Sequence, residues 1–296
     1  MVMRLPDRLR ALWQEVEAKR MSTEACTAQQ EQWLDDYRRQ WWEAMRENEH
    51  EDLRTGLLRE VAAYYQITDL AEVERRCTSA VATLRDEWQE SDESNPRTKI
   101  ENFYESPTTI YELVEWHTLQ DDTGPLAYVL GLDIAREHQV QTCLDFGSGI
   151  GSGALLFAHA GIKMTLADIS TTLLDFACWR FTRRGLPIHG IDLKHAMLPD
   201  ASFDMILAMD VFEHLAEPER VAEQLWRALR PGGLLFARIH AEEDVERPQH
   251  IARDFEPTFA RMRELGFIEI WRDTWLWGHQ LFEKRTMNEP VRGTSS

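Results

Sequence analysis

The sequence predicts an α/β protein with a doubly wound, mostly parallel seven-stranded sheet and an N-terminal all-helical segment. The mostly apolar run Thr142–Phe146 reads as a strand and leads into four closely spaced glycines, and helix-forming residues follow from 154 to 160. A second apolar run, 162–167, ends at Asp168. Two parallel strands joined by a helix, each with an acid at its carboxyl end, form half of a nucleotide-binding crevice. Residues 1 to about 90 instead have apolar residues at helical spacing.

Composition limits the kind of protein and the kind of partner. The chain has 296 residues, enough for one large domain or two modest ones, and 43% of them are hydrophobic. The formal net charge of −18 repels a phosphate backbone. We therefore expect no nucleic-acid partner, and a compact neutral or cationic substrate or a protein partner instead.

The cysteines and the N-terminus bear on the cellular compartment. Cys26, Cys77, Cys143 and Cys178 have no metal-ligand or redox spacing, so we expect reduced core residues. The first ten residues contain a proline and several charges where a signal peptide would be apolar. No run reaches the ~18 apolar residues of a membrane span. The expected location is cytoplasmic, with no membrane partner.

The N-terminal segment, residues 1–95, reads as helices almost throughout. Asp69 is a plausible N-cap of its last helix, whose apolar residues keep three- and four-residue spacing over residues 70–88. We interpret the segment as a lid or dimerisation element, with a possible homodimer through it. The adjacent Trp41 and Trp42 cannot both face one core, so one of them could mark a contact surface.

Residues 96–140 are interpreted as a helical lid or connector. The polar, proline-ended stretch 91–96 marks its start, and aromatic residues and His117 cluster in residues 103–117. Such a cluster suits a lid over a small molecule, although a helical hairpin with ordinary core aromatics would look similar. Gly124 and Pro125 are expected to break the helix, and another should run from 126 to 139.

The nucleotide-binding domain is predicted over residues 141–285, and the tail 286–296 is expected to be frayed. Asp192 follows a short third strand, and Asp210 follows a fourth, Phe203–Met209, with Glu213 and His214 close behind. The remaining predicted elements are helices over 171–184, 221–229 and 255–265, and strands over 187–191, 234–239, 267–272 and 277–283.

The glycine turn alone is compatible with two kinds of nucleotide. Gly149-x-Gly151-x-x-Ala154 fits a dinucleotide fingerprint. Asp145-x-Gly147-x-Gly149-x-Gly151 resembles motif I of the class I S-adenosyl-L-methionine (SAM)-dependent methyltransferases. A carboxylate beside the turn would repel a pyrophosphate, whereas SAM carries an ammonium and a sulfonium and tolerates it.

Three further stretches make the resemblance more specific. LPDASFDMI, DVFEHL and LRPGGLLF follow the turn in this order, as they do in small-molecule class I methyltransferases such as the ubiquinone-type O-methyltransferases. The similarity extends from about residue 141 to 283. It implies a SAM-dependent methyltransferase with a small-molecule acceptor and a biosynthetic role, in which the acceptor atom (O, N, S or C) stays open.

The resemblance also implies roles for individual residues. Gly147, Gly149 and Gly151 would close on the methionine moiety, with Asp145 near its ammonium and Asp210 at the same end. Asp168 would bind the ribose hydroxyls, while Asp192 and the Leu193 amide would bind adenine. The full implied cofactor set is Asp145, Gly147, Gly149, Gly151, Asp168, Ile169, Asp192, Leu193 and Asp210.

His214 is the first candidate for a general base. It stands four residues after Asp210, so one helical turn would place the carboxylate beside the imidazole and raise its basicity. Alternatively, His214 only braces the loop. The other candidates are His117, His250, Tyr104 and Tyr111. No Asn-Pro-Pro-Tyr follows the fourth strand, which argues against nucleobase amines, and no acid cluster suggests a metal.

Two other classes of function stay open at this point. One is a SAM-binding pseudoenzyme or regulator whose helical half binds a partner protein. The other is a nicotinamide oxidoreductase, against which Asp145 and the Pro-Gly-Gly before a strand both argue.

Overall fold

The computed structural model describes residues 3–48, 50–120, 123–241, 247–252 and 254–285. The tail predicted to be frayed, 286–296, lies outside the described residues, as do residues 242–246 of the loop predicted between residues 241 and 250.

A seven-stranded, mostly parallel sheet forms the centre of the protein, which confirms the predicted fold class. Its strands are β1 (Thr142–Phe146), β2 (Lys163–Asp168), β3 (His189–Asp192), β4 (Phe203–Ala208), β5 (Leu229–Ala237), β6 (Phe267–Arg272) and β7 (Gln280–Lys284). Their order is β3-β2-β1-β4-β5-β7-β6. Strands β1 to β5 pair in parallel, and β7 runs antiparallel to both β5 and β6.

The strand order reverses between β1 and β4, which are direct neighbours in the sheet. Both strands are almost entirely buried because their residues are nearly all apolar and helices cover both faces. In an open parallel sheet, such a reversal opens a crevice at the carboxyl ends of the two strands. The fold therefore predicts a ligand site beyond Phe146 and Ala208.

Several boundaries differ from the sequence prediction for local reasons. The Arg-Pro-Gly-Gly stretch, expected as a turn, is part of β5, where Leu229 is already paired with Phe203 of β4. Strand β7 begins later than expected because the carboxylate of Asp273 accepts the backbone N–H groups of residues 275–278 and holds a turn. Gly124 and Pro125 lie in the first turn of the helix Thr123–Glu137, where proline costs no hydrogen bond, so the preceding helical segment ends before them, at Thr118, and the new helix starts three residues earlier than expected.

Eleven helices precede, connect or follow these strands in the described parts of the chain. The first six are α1 (Leu5–Glu17), α2 (Thr23–Met45), α3 (Leu53–Tyr65), α4 (Leu70–Glu90), α5 (Pro96–Glu105) and α6 (Thr108–Glu112). The others are α7 (Thr123–Glu137), α8 (Ser152–His159), α9 (Thr171–Arg183), α10 (Pro218–Ala228) and α11 (Glu256–Leu265). A π-helical segment, Leu113–Thr118, follows α6, and a 3₁₀ turn, Phe212–His214, follows β4.

The N-terminal helices share hydrophobic cores with the sheet domain. Leu5 and Leu9 of α1 and Trp41 of α2 belong to the cluster that contains Phe236 of β5. Side chains of α3 and α4 pack in a second cluster with the glycine-turn residue Ile150. Trp41 is 2% exposed and Trp42 is 39% exposed, so the two indoles do face opposite ways. The sheet and the N-terminal segment are thus packed as one body.

A buried ion pair also joins α3 to the glycine turn. The carboxylate of Glu60 lies 3.1 Å from the guanidinium Nε of Arg180 in α9, and both side chains are at most 3% exposed. Arg180 also donates to the carbonyl of Ile150 (2.8 Å) and to the hydroxyl of Ser152 (2.9 Å). The conformation of the turn is therefore fixed in part by a residue of the N-terminal segment.

The expected core location holds for three of the four cysteines, since Cys178 is only partly buried. Cys26, Cys77 and Cys143 are buried, and all four cysteines are free thiols. In the described parts of the chain, no helix combines the length and apolarity needed to cross a membrane.

Candidate active site

A cavity of about 1320 Å³, including the part open to solvent, lies at the carboxyl ends of β1, β2 and β4. Its floor comes from the glycine turn and the strand ends, and its cover comes from α5, α6, the π-helical segment and α7. The predicted site residues that line it are Tyr104, His117, Gly147, Gly149, Asp168, Ile169, Leu193, Asp210, His214 and His250. Sequence reasoning thus identified ten of the thirty residues that line the cavity, although they come from widely separated stretches of the chain.

The glycine turn has the backbone conformation that its composition predicts. Gly147, Gly149 and Gly151 all have positive φ, at +70°, +52° and +73°. At Gly147 a Cβ would also lie 2.5 Å from Cγ2 of Val211, which is closer than two carbon atoms can approach. Helix α8 begins immediately after the turn, so its N-terminal N–H groups favour a ligand carboxylate there.

Asp145 lies fully buried below the turn rather than in the cavity wall. Neither of its carboxylate oxygens has a well-formed hydrogen bond with the described residues. Burial, with the charge of Asp168 adding to it, raises the pKa of Asp145 to about 7, and the Ala154 amide opposes the rise only in part. A cation bound nearby would stabilise the charged form. Any effect of Asp145 on a bound cation would therefore act through its electric field, since the side chain is not at the cavity surface, and its role toward the ammonium of SAM stays a prediction.

Asp168 lies at the end of β2, between the cavity and the glycine turn. One carboxylate oxygen accepts the Gly149 N–H at 2.8 Å, and the other accepts the Ser170 N–H at 2.9 Å. Burial raises the pKa of Asp168 to about 6, although these amides lower it. Each oxygen can accept a second hydrogen bond. The side chain can therefore brace the turn and bind a ribose hydroxyl at once.

The expected adenine contacts need correction. The Leu193 N–H donates to the backbone carbonyl of Asp168 at 2.9 Å, so this amide is not available to an adenine ring. Leu193 still lines the cavity and can contact the ring in other ways. Asp192 is not among the residues that line the cavity. Its carboxylate instead accepts the Lys194 N–H and the hydroxyl of Thr171, which closes the loop after β3.

Asp210 is held in a strained turn directly after β4. Its φ is +52°, a left-handed value that is uncommon outside glycine. The carboxylate accepts a hydrogen bond from Arg238 at 2.8 Å. Burial would raise the pKa of Asp210, but the charge and hydrogen bond of Arg238, together with the charges of His117 and His279, outweigh it and the pKa is lowered. Asp210 is therefore ionised and its partner is an arginine rather than His214.

This geometry overturns the expected basicity of His214. The residue ends a 3₁₀ turn, and Nδ1 of its ring lies 3.2 Å from the carbonyl oxygen of Gln249. Burial and the neighbouring His250 lower the pKa of His214 to about 3. A ring that binds a proton so weakly is a poor general base at neutral pH. His214 stays in the cavity, but the prediction of a carboxylate-assisted base was wrong for it.

His117 has the carboxylate partner that was expected for His214. Its Nε2 lies 3.6 Å from the carboxylate of Glu112, and both residues line the cavity. Burial lowers the pKa of His117, but the charge and hydrogen bond of Glu112 outweigh it, so the pKa is raised above 6.5. The two residues are five apart, and the π-helical segment between them has i→i+5 hydrogen bonds, such as Leu119 N–H to Val114 at 3.1 Å. Sequence reasoning did not consider Glu112, and α-helical spacing would not have placed two residues that are five apart on one face.

The remaining base candidates divide between the cavity and the exterior. Tyr104 lines the cavity in edge-to-face contact with the His214 ring, and burial raises its pKa well above the ordinary value, so it can donate but not remove a proton. His250 is 4% exposed and also lines the cavity. Tyr111 points elsewhere: its hydroxyl accepts from Arg76 and its ring stacks on Tyr65. Tyr111 is therefore removed from the candidates.

Taken together, the doubly wound sheet, the acid-and-glycine turn and the buried carboxylates define a class I SAM-dependent methyltransferase domain. The family model described as a methyltransferase domain matches residues 144–237. This part of the chain is similar to that family, and the predicted class and its cofactor SAM are confirmed.

The relatives with curated functions act on different acceptors. The chain is 30% identical over 124 residues to a tRNA 5-carboxymethoxyuridine methyltransferase of Escherichia coli, covering 40% of this chain and 48% of the relative. It is 28% identical over 136 residues to a ubiquinone biosynthesis O-methyltransferase of Haemophilus ducreyi, covering 40% and 58%. A structure of Haemonchus contortus phosphoethanolamine N-methyltransferase 2 with SAM gives a TM-score of 0.48 at 21% identity, covering 60% and 45%. The chain thus spans about half the length of the curated relatives that it matches.

Proposed function

We propose that the protein transfers the methyl group of SAM to a hydroxyl oxygen of a small-molecule acceptor. The observation that carries this proposal is the His117–Glu112 pair, because it places an imidazole of raised pKa in the same cavity as the cofactor residues. A hydroxyl needs such a base when it becomes the nucleophile. The similarity to a ubiquinone biosynthesis O-methyltransferase agrees with an oxygen acceptor.

The cavity supports a compact, partly apolar acceptor. Its cover contributes Ile100, Phe103 and Tyr104 from α5 and Tyr128 from α7. These helices lie in residues 96–140, which we propose to be the acceptor-binding cover. The net charge of −18 disfavours RNA on electrostatic grounds, although one relative acts on tRNA. The homodimer expected through residues 1–95 stays a prediction.

The residues of the chain would divide the chemistry as follows. When bound, SAM would supply an electrophilic methyl group, with S-adenosylhomocysteine as the leaving group. His117 accepts the hydroxyl proton at Nδ1, because Nε2 faces Glu112. Glu112 stabilises the resulting imidazolium. The turn at Gly147 and the side chain of Asp168 hold the cofactor in line, which supplies several kcal/mol in enzymes of this kind.

A binding and transfer experiment tests the proposal. Calorimetry with S-adenosylhomocysteine and with NAD should show binding of the first only. Methyl-labelled SAM is then incubated with panels of small phenols, enols and amines and with total tRNA, and the label should enter the hydroxyl compounds. Label in tRNA, or tight NAD binding without S-adenosylhomocysteine binding, would overturn the proposal. Cofactor binding with no methyl transfer to any panel would instead favour the alternative of a SAM-binding pseudoenzyme or regulator.

A matched pair of variants tests the base. His117→Gln should leave the affinity for S-adenosylhomocysteine unchanged and lower kcat by ~10²–10⁴-fold. In the wild type, kcat should rise as the pH passes the pKa of His117, which Glu112, Asp210 and Arg247 influence. Glu112→Gln removes the main cause of the raised pKa, so its profile should shift to lower pH. Unchanged kcat in His117→Gln would exclude this base.

A further inference from the structure

Three side chains with metal-binding atoms meet on one wall of the cavity. Glu213, His214 and His250 each offer one ligand atom, and these atoms lie within 4.8 Å of one another. The carboxylate is 1% exposed and the His250 ring is 4% exposed. Two of the residues end the 3₁₀ turn after β4, and the third lies 36 residues beyond His214 in another loop. The sequence therefore gave no sign of a metal site, and none was expected.

The backbone holds the two loops together at this point. The carbonyl oxygen of Glu213 accepts the N–H groups of Ile251 (2.8 Å) and Ala252 (3.0 Å). The rings of His214 and His250 are in edge-to-face contact, with centroids 4.8 Å apart. The two loops are thus held side by side in the absence of an ion, so ion binding would not have to bring the three side chains together. Glu213 and His250 also interact with other groups, and ion binding would exchange those partners.

The ring of His214 is oriented as a ligand usually is. Its Nδ1 lies 3.2 Å from the carbonyl oxygen of Gln249, which can only accept, so Nδ1 carries the hydrogen. The lone pair is then on Nε2. Metal-binding histidines almost always donate their other N–H to a carbonyl or carboxylate in this way. Gln249 therefore fixes the tautomer that coordination requires.

The donor set indicates which ions would fit. Two imidazoles and one carboxylate form the set that binds Zn²⁺ in open sites and Fe²⁺ in facial triads, whereas Mg²⁺ prefers oxygen ligands alone. Both kinds of site leave coordination positions for another molecule. The cavity that holds the three side chains also holds Asp168 and His117, so those positions would face the acceptor.

We propose that Glu213, His214 and His250 bind a divalent transition-metal ion and that this ion takes an oxygen of the acceptor as a further ligand. Ion binding stands without the proposed function, but the role toward the acceptor rests on it. A coordinated hydroxyl loses its proton more readily, because the ion stabilises the oxyanion. In this arrangement the ion orients and polarises the acceptor oxygen, and His117 receives the proton.

Metal titration of the full chain tests the site. The protein is treated with a chelator, dialysed and titrated with Zn²⁺ by calorimetry and with Co²⁺ by visible absorption. We expect one ion per chain and the intense d–d bands of a low-coordinate Co²⁺ site. His250→Gln and the isosteric Glu213→Gln should each weaken Zn²⁺ binding by at least tenfold. His117→Gln, which changes a histidine of the same cavity outside the cluster, is the matched control and should bind Zn²⁺ as the wild type does.

The readouts separate this proposal from the proposed function. S-adenosylhomocysteine binding shows that each variant is folded, so a lost Zn²⁺ affinity can be assigned to the ligand. No stoichiometric binding to the wild type, or equal Zn²⁺ affinity in all three variants, would overturn the site. If the protein binds Zn²⁺ and transfers methyl groups equally well with and without chelator, the role toward the acceptor is overturned. Zn²⁺ binding by a protein that transfers no methyl group would support the site while refuting the proposed function.

Discussion

The strain at Gly147 gives a prediction whose magnitude follows from the structure. Gly147→Ala forces an alanine into a φ of +70°, which costs about 1–2 kcal/mol. The new Cβ would also lie 2.5 Å from Cγ2 and 3.1 Å from Cγ1 of Val211, and relieving such overpacking costs about 1–3 kcal/mol. We therefore expect the free energy of unfolding to fall by about 2–5 kcal/mol in this variant.

Two further variants separate the backbone cost from the contact. Gly161 has a φ of +84° and open space around the position of a Cβ, so Gly161→Ala should lose only the backbone part, about 1–2 kcal/mol. Adding Val211→Ala to Gly147→Ala should recover part of the loss, with a coupling energy of about 0.5–3 kcal/mol. Urea unfolding of the wild type, Gly147→Ala, Gly161→Ala, Val211→Ala and the double variant measures these values. Equal losses in the two glycine variants, or no coupling with Val211→Ala, would refute the reasoning.

Two other predictions concern buried charges. Glu60→Gln leaves Arg180 buried without its carboxylate and should lower the free energy of unfolding, measured in urea, by about 3–5 kcal/mol. The control Arg263→Ala breaks the exposed pair with Glu256 and should lower it by at most about 1 kcal/mol. Similar losses in the two variants would contradict the assigned role of the buried pair. The second prediction concerns Asp145, whose pKa is raised from 3.8 to about 7 in the folded state. Between these two values the native state binds more protons than the unfolded state, so the stability of the ligand-free protein should fall as pH rises between about 4 and about 7. Asp145→Asn should reduce this fall, and an unchanged pH dependence would show that the carboxyl titrates normally.

The sheet and the cofactor side of the site could be predicted because their signals are local. An apolar strand followed by glycines predicts a tight turn. In the structure Gly147 has the positive φ of that turn, and Asp168 accepts a hydrogen bond from its Gly149 N–H. The order of strands β1 to β5 follows from the same βαβ pattern. These features depend on residues that are neighbours in sequence, so periodicity and spacing report them.

The acceptor side could not be predicted, because it depends on contacts between distant stretches. Asp210 was assigned to His214 on the assumption of an α-helical turn, but a φ of +52° redirects its carboxylate to Arg238, which follows the neighbouring strand β5. Glu213 and His250 meet only because the backbone of residues 251 and 252 pairs with the turn after β4. Neither contact can be inferred from the spacing of residues along the chain.

The π-helical segment makes the chemistry of the cavity sensitive to chain length. A π-turn accommodates one residue more than the α-turn it replaces, so deleting a single residue between 112 and 117 would let an ordinary α-helix form there. Glu112 and His117 would then be four apart, and every side chain up to the start of α7 would be rotated by about 100° relative to the sheet. A one-residue deletion would thus change which groups face an acceptor, and it would also break the 2.9 Å hydrogen bond between the hydroxyls of Thr118 and Ser152, by which this segment contacts the start of α8. Length variation in this segment, rather than substitution, is the most economical way for such a scaffold to acquire a different acceptor.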